Sequence, residues 1–214
     1  RSGRIRPMKL LTSMLVCFGL LGLAGGPADS AVPLKPVTDL TVAKAPAPAS
    51  MRARPDSALW VWSWGRPGRL AEDAAGLGFD RVYLYCQGGF TPRVKRTIRQ
   101  LAKRGMVVEA LGGEPNWATT AREGMLDFIA AAKRYQQNAG AGARLGGIHL
   151  DVEPHALKAW DRRPRQVRLG FLRSLRAATR ASGKLPLAAD LPFWFDGIKL
   201  RYRGQRLPLS VAAL

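Results

Sequence analysis

Cysteine and acidic residues are both scarce in this chain. Only two of its 214 residues are cysteine, Cys17 and Cys86, and Cys17 lies in an N-terminal apolar stretch that we expect to be removed. One remaining cysteine excludes an intramolecular disulfide framework. The chain has 15 Asp and Glu residues and 34 Lys and Arg residues, which gives a net charge of +19. Because 47% of the residues are hydrophobic, a disordered polyelectrolyte is excluded and one domain with its own core is expected.

No apolar run reaches the roughly 20 residues that a transmembrane helix needs. Residues 10–23 are mostly apolar, follow Met8 and Lys9, and precede small residues at 28–31. This pattern predicts that residues 1–31 hold upstream residues and a secretory signal peptide, with an uncleaved anchor as the alternative. The protein is then exported to the periplasm or the cell exterior, and it contacts the membrane only transiently, through this signal.

Residues 32–57 are rich in Pro and Ala and predict an extended linker. From residue 58 to residue 214 the pattern is that of a folded domain, in which short apolar runs alternate with helical segments. The predicted strands are 58–62, 81–86, 106–111, 147–153 and 185–190.

Three segments of this domain carry helix signals. Residues 91–105 have Thr91 as an N-cap, Pro92 at the first helical position and a terminal glycine. Thr120 and Glu123 have the spacing of a capping box that opens a helix to about residue 138. Residues 164–182 form the next helix, with a glycine directly after it.

Five βα units in series predict an α/β fold with a parallel sheet. Both an open doubly wound sheet and the first five units of a TIM-type (β/α)8 barrel have this pattern, and a full barrel takes about 250 residues. The predicted domain, residues 58–214, is shorter than a full barrel, and its residues 199–209 predict at best a hairpin or loop. The expectation is therefore an incomplete barrel that lacks its C-terminal units.

Ionisable residues concentrate in the predicted fourth strand. Side chains alternate along a strand, so His149, Asp151 and Glu153 share one face. A buried parallel strand is normally apolar throughout, and barrel active sites lie at the C-terminal ends of strands. The sequence therefore predicts a functional site here, against the alternative of a rim of carboxylates paired with some of the many arginines.

Two segments resemble the family-18 glycoside hydrolases, the chitinase group. Residues 110–113 read Ala-Leu-Gly-Gly and resemble that family's Ser-x-Gly-Gly signature, with Ala110 in place of Ser. Residues 146–153 match the last Asp and the Glu of its Asp-x-x-Asp-x-Asp-x-Glu signature, while Gly146 and His149 replace the first two aspartates. The Leu-Asp-Val-Glu run also looks, more weakly, like the fourth strand of family-25 lysozymes.

This resemblance implies a (β/α)8 barrel glycosidase acting on an amino-sugar polysaccharide. By it, Glu153 is the general acid that protonates the leaving oxygen. Asp151 orients the substrate's N-acetyl group as that group attacks the anomeric carbon. His149 would give Asp151 an imidazole partner instead of a proton-sharing carboxylate. The sugar-positioning residues of the family's later strands have no counterpart in this sequence.

Further substrate-binding candidates lie close to predicted strand ends. Sugars stack on aromatic faces and bind polar side chains, so tryptophans and strand-end carboxylates are the residues of interest. The candidates are His149, Glu114, Trp117, Trp62, Asp190 and Trp194, with Trp60 and Trp64 as further aromatic candidates. Core packing is the alternative for each tryptophan, and a helix cap or an arginine partner is the alternative for Glu114 and Asp190.

No cofactor and no metal site is predicted. Alternate residues from His149 to His155 offer nitrogen and oxygen ligands, but four such positions on one strand span about 20 Å. The arginine-rich composition carries no nucleic-acid motif, so the expected partner is a polysaccharide or cell-wall glycan. A non-catalytic carbohydrate-binding barrel and an inactive truncated fragment remain as alternatives to an enzyme, and the oligomeric state is not predicted.

Overall fold

The computed structural model describes residues 57–213. The predictions for residues 1–31, and for all of the linker 32–57 except its last residue, lie outside the described residues. The described residues all belong to one compact unit. Within the described range, no helix has the length and apolar character needed to cross a membrane.

The described chain is an α/β fold, as the sequence predicts. Its strands are β1 Ala58–Val61, β2 Arg81–Tyr85, β3 Val107–Gly112, β4 Gly147–Leu150, β5 Leu187–Ala189, β6 Lys199–Tyr202 and β7 Gln205–Pro208. Its α-helices are α1 Pro67–Gly76, α2 Pro92–Ala102, α3 Arg122–Asn138, α4 Ala159–Arg162, α5 Pro164–Ser182 and α6 Leu209–Ala213. Short 3-10 turns cover Pro115–Ala118, Ala141–Ala143, Pro154–Ala156 and Phe193–Gly197.

The first five strands form one parallel sheet in the sequential order β1-β2-β3-β4-β5. The register pairs Trp60 with Tyr83, Tyr83 with Glu109, and His149 with Ala188. β6 and β7 form a separate antiparallel pair. Arg203 and Gly204 connect them with positive φ angles, which suit a tight two-residue turn, so the predicted hairpin is confirmed.

The two faces of the sheet differ in burial. One face is apolar and fully buried and forms a single core cluster with the helices, through side chains such as Leu84, Val108 and Ile148. Helices α2 and α3 pack on β3, and α5 packs on β5. The opposite face, called here the polar face, carries aromatic and ionisable side chains and is only partly buried. The site described below lies on this polar face.

Local sequence signals set two of the three predicted helices. The Thr91 hydroxyl accepts a hydrogen bond from the Val94 amide at 3.3 Å, and Pro92 opens α2, as predicted. Val94, Ile98 and Leu101 are buried on one side of α2. Helix α5 spans Pro164–Ser182 and ends at Gly183, whose φ of 62° favours glycine.

Three boundary predictions were wrong. The Thr120 and Glu123 capping box does not form, because α3 begins at Arg122 and its N-cap residue, Ala121, has no capping side chain. Strand β4 ends at Leu150, so Asp151 and Glu153 lie beyond it and not inside it. β5 covers only Leu187–Ala189. Helix α1 was not predicted. Its one local start signal is Pro67 at the first helical position, since Arg66 precedes it without a side-chain cap.

Thr91→Ala should lower the free energy of unfolding by about 1 kcal/mol, because the Val94 amide loses its acceptor at the start of α2. Urea unfolding of the wild type and the variant measures the difference. Thr120→Ala is the matched control, since Thr120 is exposed and caps no helix. Equal losses in the two variants would contradict the capping role of Thr91.

Candidate functional site

The Gly112–Gly113 pair brings the end of β3 close to the chain that follows β4. A side-chain carbon on Gly113 would lie 1.9 Å from the backbone oxygen of Asp151, and one on Gly112 would lie 2.9 Å from the Phe128 ring. The Asp151 amide donates to the Gly112 carbonyl at 3.0 Å. Gly113 therefore permits the close approach to the Asp151 backbone, while Gly112 leaves room for the Phe128 ring.

Gly113→Ala should destabilise the protein by about 1–3 kcal/mol, because the added methyl group meets the Asp151 backbone and the two segments must separate. Thermal and urea unfolding measure the loss. Gly88→Ala is the control, because a methyl group at Gly88 meets open space. If Gly113→Ala were as stable as the wild type, the Asp151 segment would be able to move away without cost, and the predicted close contact would be contradicted.

His149 is buried at the centre of the polar face between two carboxylates. Its Nδ1 lies 3.2 Å from Glu109 Oε2, and its Nε2 lies 3.0 Å from Asp190 Oδ1. Only 6% of the His149 side chain is exposed. The Nε2 contact lies outside hydrogen-bond geometry and is an ion pair by distance. Arg81 forms a short ion pair with the other oxygen of Glu109.

Aromatic rings complete the surroundings of this histidine. Tyr83 stacks on the imidazole with ring centroids 3.7 Å apart. Trp60 lies edge-on to both rings, and its indole Nε1 donates to Asp190 Oδ2 at 3.3 Å. Strands β1 to β4, and the residue directly after β5, therefore all contribute to a single cluster, β2 with both Arg81 and Tyr83.

Opposite charges in the cluster shift the pKa values of their neighbours toward the charged forms. Burial by itself would lower the pKa of His149, but its contacts with Asp190 and Glu109 outweigh burial and raise the pKa to about 9. Burial would raise the pKa of Glu109, but the hydrogen bond to His149 and the Arg81 charge lower it overall. His149 is therefore an imidazolium and Glu109 a carboxylate at neutral pH.

The free energy of unfolding should fall as pH rises from about 6.5 to about 9, because folded His149 keeps a proton that the unfolded chain releases. With the pKa raised from 6.5 to about 9, the stabilisation is complete below pH 6.5 and amounts to at most about 3 kcal/mol. Urea unfolding at several pH values measures this slope. In His149→Gln the slope should largely disappear, while Cys86 and His155 are common to both proteins and cancel. The same slope in both proteins would contradict the assignment.

Asp151 and Glu153 follow β4 in different environments. Burial, then the charges of Asp190 and Glu153, raise the pKa of Asp151 to about 6, and the nearby His149 charge opposes this only partly. Glu153 has 55% of its side chain exposed and lies 3.9 Å from His155 Nε2. Within residues 57–213, no arginine pairs with either carboxylate, so the arginine-bound rim does not form.

The other predicted substrate-binding residues occupy three places. Trp62 is 46% exposed and contacts Tyr85. Glu114 is exposed two residues after β3 and accepts a hydrogen bond from Gln87 at 3.1 Å. Trp194 is 38% exposed and lies edge-on to His155, 5.1 Å between centroids. Trp117 is only 3% exposed and stacks near Phe128, so it follows the core-packing alternative and does not join the site.

Sequence reasoning singled out His149, Asp151, Glu153 and Asp190 but missed Glu109, Arg81 and Tyr83. A signal was available for Glu109, because it interrupts the apolar run of β3, where a buried carboxylate requires a partner. Arg81 and Tyr83 alternate with the buried Val82 and Leu84, which marks a strand with one polar face. Only the register shows that these side chains meet.

The donor set does not suit a metal ion. Across residues 57–213, no group of three or more His, Cys, Asp or Glu side chains has the arrangement of a metal site. Cys86 is buried, and burial raises the pKa of its thiol to about 12, so it stays protonated and unreactive at neutral pH. The chemistry available at this site is proton transfer by carboxyls and binding by exposed aromatic rings.

Comparison of the chain with protein-family models, with curated proteins and with solved structures gave no match.

Proposed function

We propose that this protein is an exported glycosidase that cleaves an amino-sugar polysaccharide on a barrel-type scaffold. The sequential strand order supports the barrel arrangement, since open doubly wound sheets reverse their strand order at a switch point. One-sided burial supports it too, because the helices cover one face of the sheet and leave the polar face free. The five βα units correspond to consecutive units of a (β/α)8 barrel.

The main support for catalysis is the carboxyl pair at the end of β4. Asp151 is partly buried, with a pKa of about 6, and the charge of Glu153 contributes to that shift. Many glycosidases place two carboxyls in unlike environments beside the scissile bond. By the family-18 resemblance, Glu153 protonates the leaving oxygen and Asp151 orients the N-acetyl group.

A non-catalytic carbohydrate-binding protein is the second candidate. Trp60 on β1 and Trp62 directly after it are each 46% exposed, and their rings offer stacking surfaces for sugars. The imidazolium of His149, held by Glu109 and Asp190, stands where the family has an aspartate. This arrangement keeps a polar, aromatic surface without the family's proton-sharing carboxylates.

A panel of oligosaccharides tests the proposal on the full 214-residue chain. We expect release of reducing ends from N-acetylated β-linked amino-sugar oligomers, and none from glucose oligomers of the same length. Isothermal titration calorimetry measures binding of the same oligomers, and saturable binding without cleavage would favour the second candidate. Neither binding nor cleavage by the folded protein would overturn both.

A further inference from the structure

A cleft between helices α2 and α3 lies outside the site on the polar face. Its volume is about 370 Å³, and residues from α2, α3 and the turn after α3 line it. Three cations face it, namely Lys95, Arg99 and Arg134, and no acidic residue lines it. This feature is called the α2–α3 cleft below.

The three cations of the α2–α3 cleft lack carboxylate partners. Among the ion pairs that the structure shows for residues 57–213, none includes Lys95, Arg99 or Arg134. Lys95 and Arg99 are one helical turn apart on α2, and Arg134 approaches from α3. Three like charges around one cleft repel one another, and an anion relieves that repulsion.

The wall beside these cations is aromatic and fixed. Phe90 and Tyr135 stack with centroids 4.5 Å apart and an interplanar angle of 11°. The Tyr135 hydroxyl donates to the Ala143 carbonyl at 2.7 Å, which holds the ring in place. The Asn138 amide nitrogen donates to the Arg134 carbonyl at 2.7 Å, which leaves its oxygen as an acceptor in the lining.

Two other arginine-lined clefts within the described part of the chain lack this combination. The one lined by Arg163, Arg165 and Arg173 has no aromatic residue. In another, Arg176 already lies over the Tyr202 ring at 4.9 Å. The α2–α3 cleft alone among these three joins unpaired cations, a fixed aromatic pair and a free amide oxygen.

We propose that the α2–α3 cleft binds a sugar-sized ring that carries one oxyanion, either a carboxylate or a phosphate. Arginine binds both groups through paired N–H donors, and the aromatic pair gives the ring an apolar contact. The volume falls in the range of about 300–1,000 Å³ typical of small-molecule sites. Two sources share this chemistry, a carboxylated sugar and a sugar phosphate. The proposal does not depend on the glycosidase activity.

Calorimetric titration of the full chain with four probes tests this site. The probes are glucuronic acid, glucose 6-phosphate, inorganic phosphate and glucose. We expect one or both sugar anions to bind, with glucose and inorganic phosphate at least about tenfold weaker. Binding of glucuronic acid alone identifies a carboxylated sugar as the source, and binding of glucose 6-phosphate alone identifies a sugar phosphate.

Charge-neutral variants locate the binding. Arg99→Gln and Arg134→Gln should each weaken binding about tenfold, since each removes a charge-assisted donor pair from the cleft. Arg96→Gln is the matched control, because Arg96 is exposed on the same helix α2 but does not line the cleft. Equal losses in all three variants would mean unspecific attraction to a basic surface and would overturn the proposal. So would the absence of binding by every probe, or binding of inorganic phosphate as tight as that of glucose 6-phosphate.

Discussion

Glu153→Gln should reduce turnover of an amino-sugar oligomer by about 10²–10⁴-fold, because a carboxamide cannot give a proton to the leaving oxygen. Substrate affinity should change little, since the amide keeps the size and polarity of the side chain. Glu153 is largely exposed after β4, so the variant should fold normally. Initial rates over a range of substrate concentrations separate the two effects.

Two further variants make this result specific. Asp151→Asn should also lower turnover, because Asp151 is the buried partner whose pKa is raised to about 6. Glu123→Gln is the control, since Glu123 is exposed in the first turn of α3 and is not among the charges that shift the pKa of Asp151. A fully active Glu153→Gln protein would refute the assigned general acid. If Asp151→Asn alone abolished turnover, the proton donor would be Asp151 instead.

His149→Ala should destabilise the protein by about 3–5 kcal/mol, because the carboxylates of Glu109 and Asp190 lose the imidazolium between them. Glu109 keeps Arg81, but Asp190 keeps only the indole N–H of Trp60. Such a loss is a large share of the free energy of unfolding of a typical domain, which is about 5–15 kcal/mol. Urea unfolding at neutral pH measures the loss.

The pH dependence of this loss identifies its cause. The His149 imidazolium and Arg81 lower the pKa of Glu109, and once acid protonates this carboxyl its attraction to His149 is lost, so the difference between wild type and His149→Ala should shrink in acid. His155→Ala is the matched control, because the only carboxylate near His155 among residues 57–213 is the exposed Glu153, while its other neighbours are aromatic rings. A loss that is equal for the two histidines, or that does not change with pH, would mean that packing and not charge accounts for the effect.

Several features of the fold were predictable because they depend on local sequence. The Thr91 and Pro92 start of α2 and the Gly183 end of α5 follow from side-chain capping and from the conformational freedom of glycine. Alternation of βα units predicted the parallel sheet. The Thr120 capping box does not form because residues 116–121 form a turn. In this turn the Asn116 carbonyl accepts hydrogen bonds from the Thr119 and Ala121 amides, so α3 begins only at Arg122.

The candidate site was predictable only in part. His149, Asp151 and Glu153 stand out because ionisable groups directly follow or interrupt an apolar run. Trp117 lies close to a strand end in the sequence, as the exposed tryptophans do, yet α3 and α5 cover it in the core. Burial of a single aromatic residue depends on which elements pack over it, and this information is not local.

The sequence by itself determined the α/β class, the main helices and the strand-end carboxylates of this protein, because periodicity, caps and composition act over a few residues. Tertiary structure decided that Glu109, His149 and Asp190 form one charged cluster, since strand register joins residues up to 81 positions apart. It also decided that Gly113 lies against Asp151 and that the cations of α2 and α3 share one cleft. These contacts arise from packing between segments, and no short stretch of sequence encodes them.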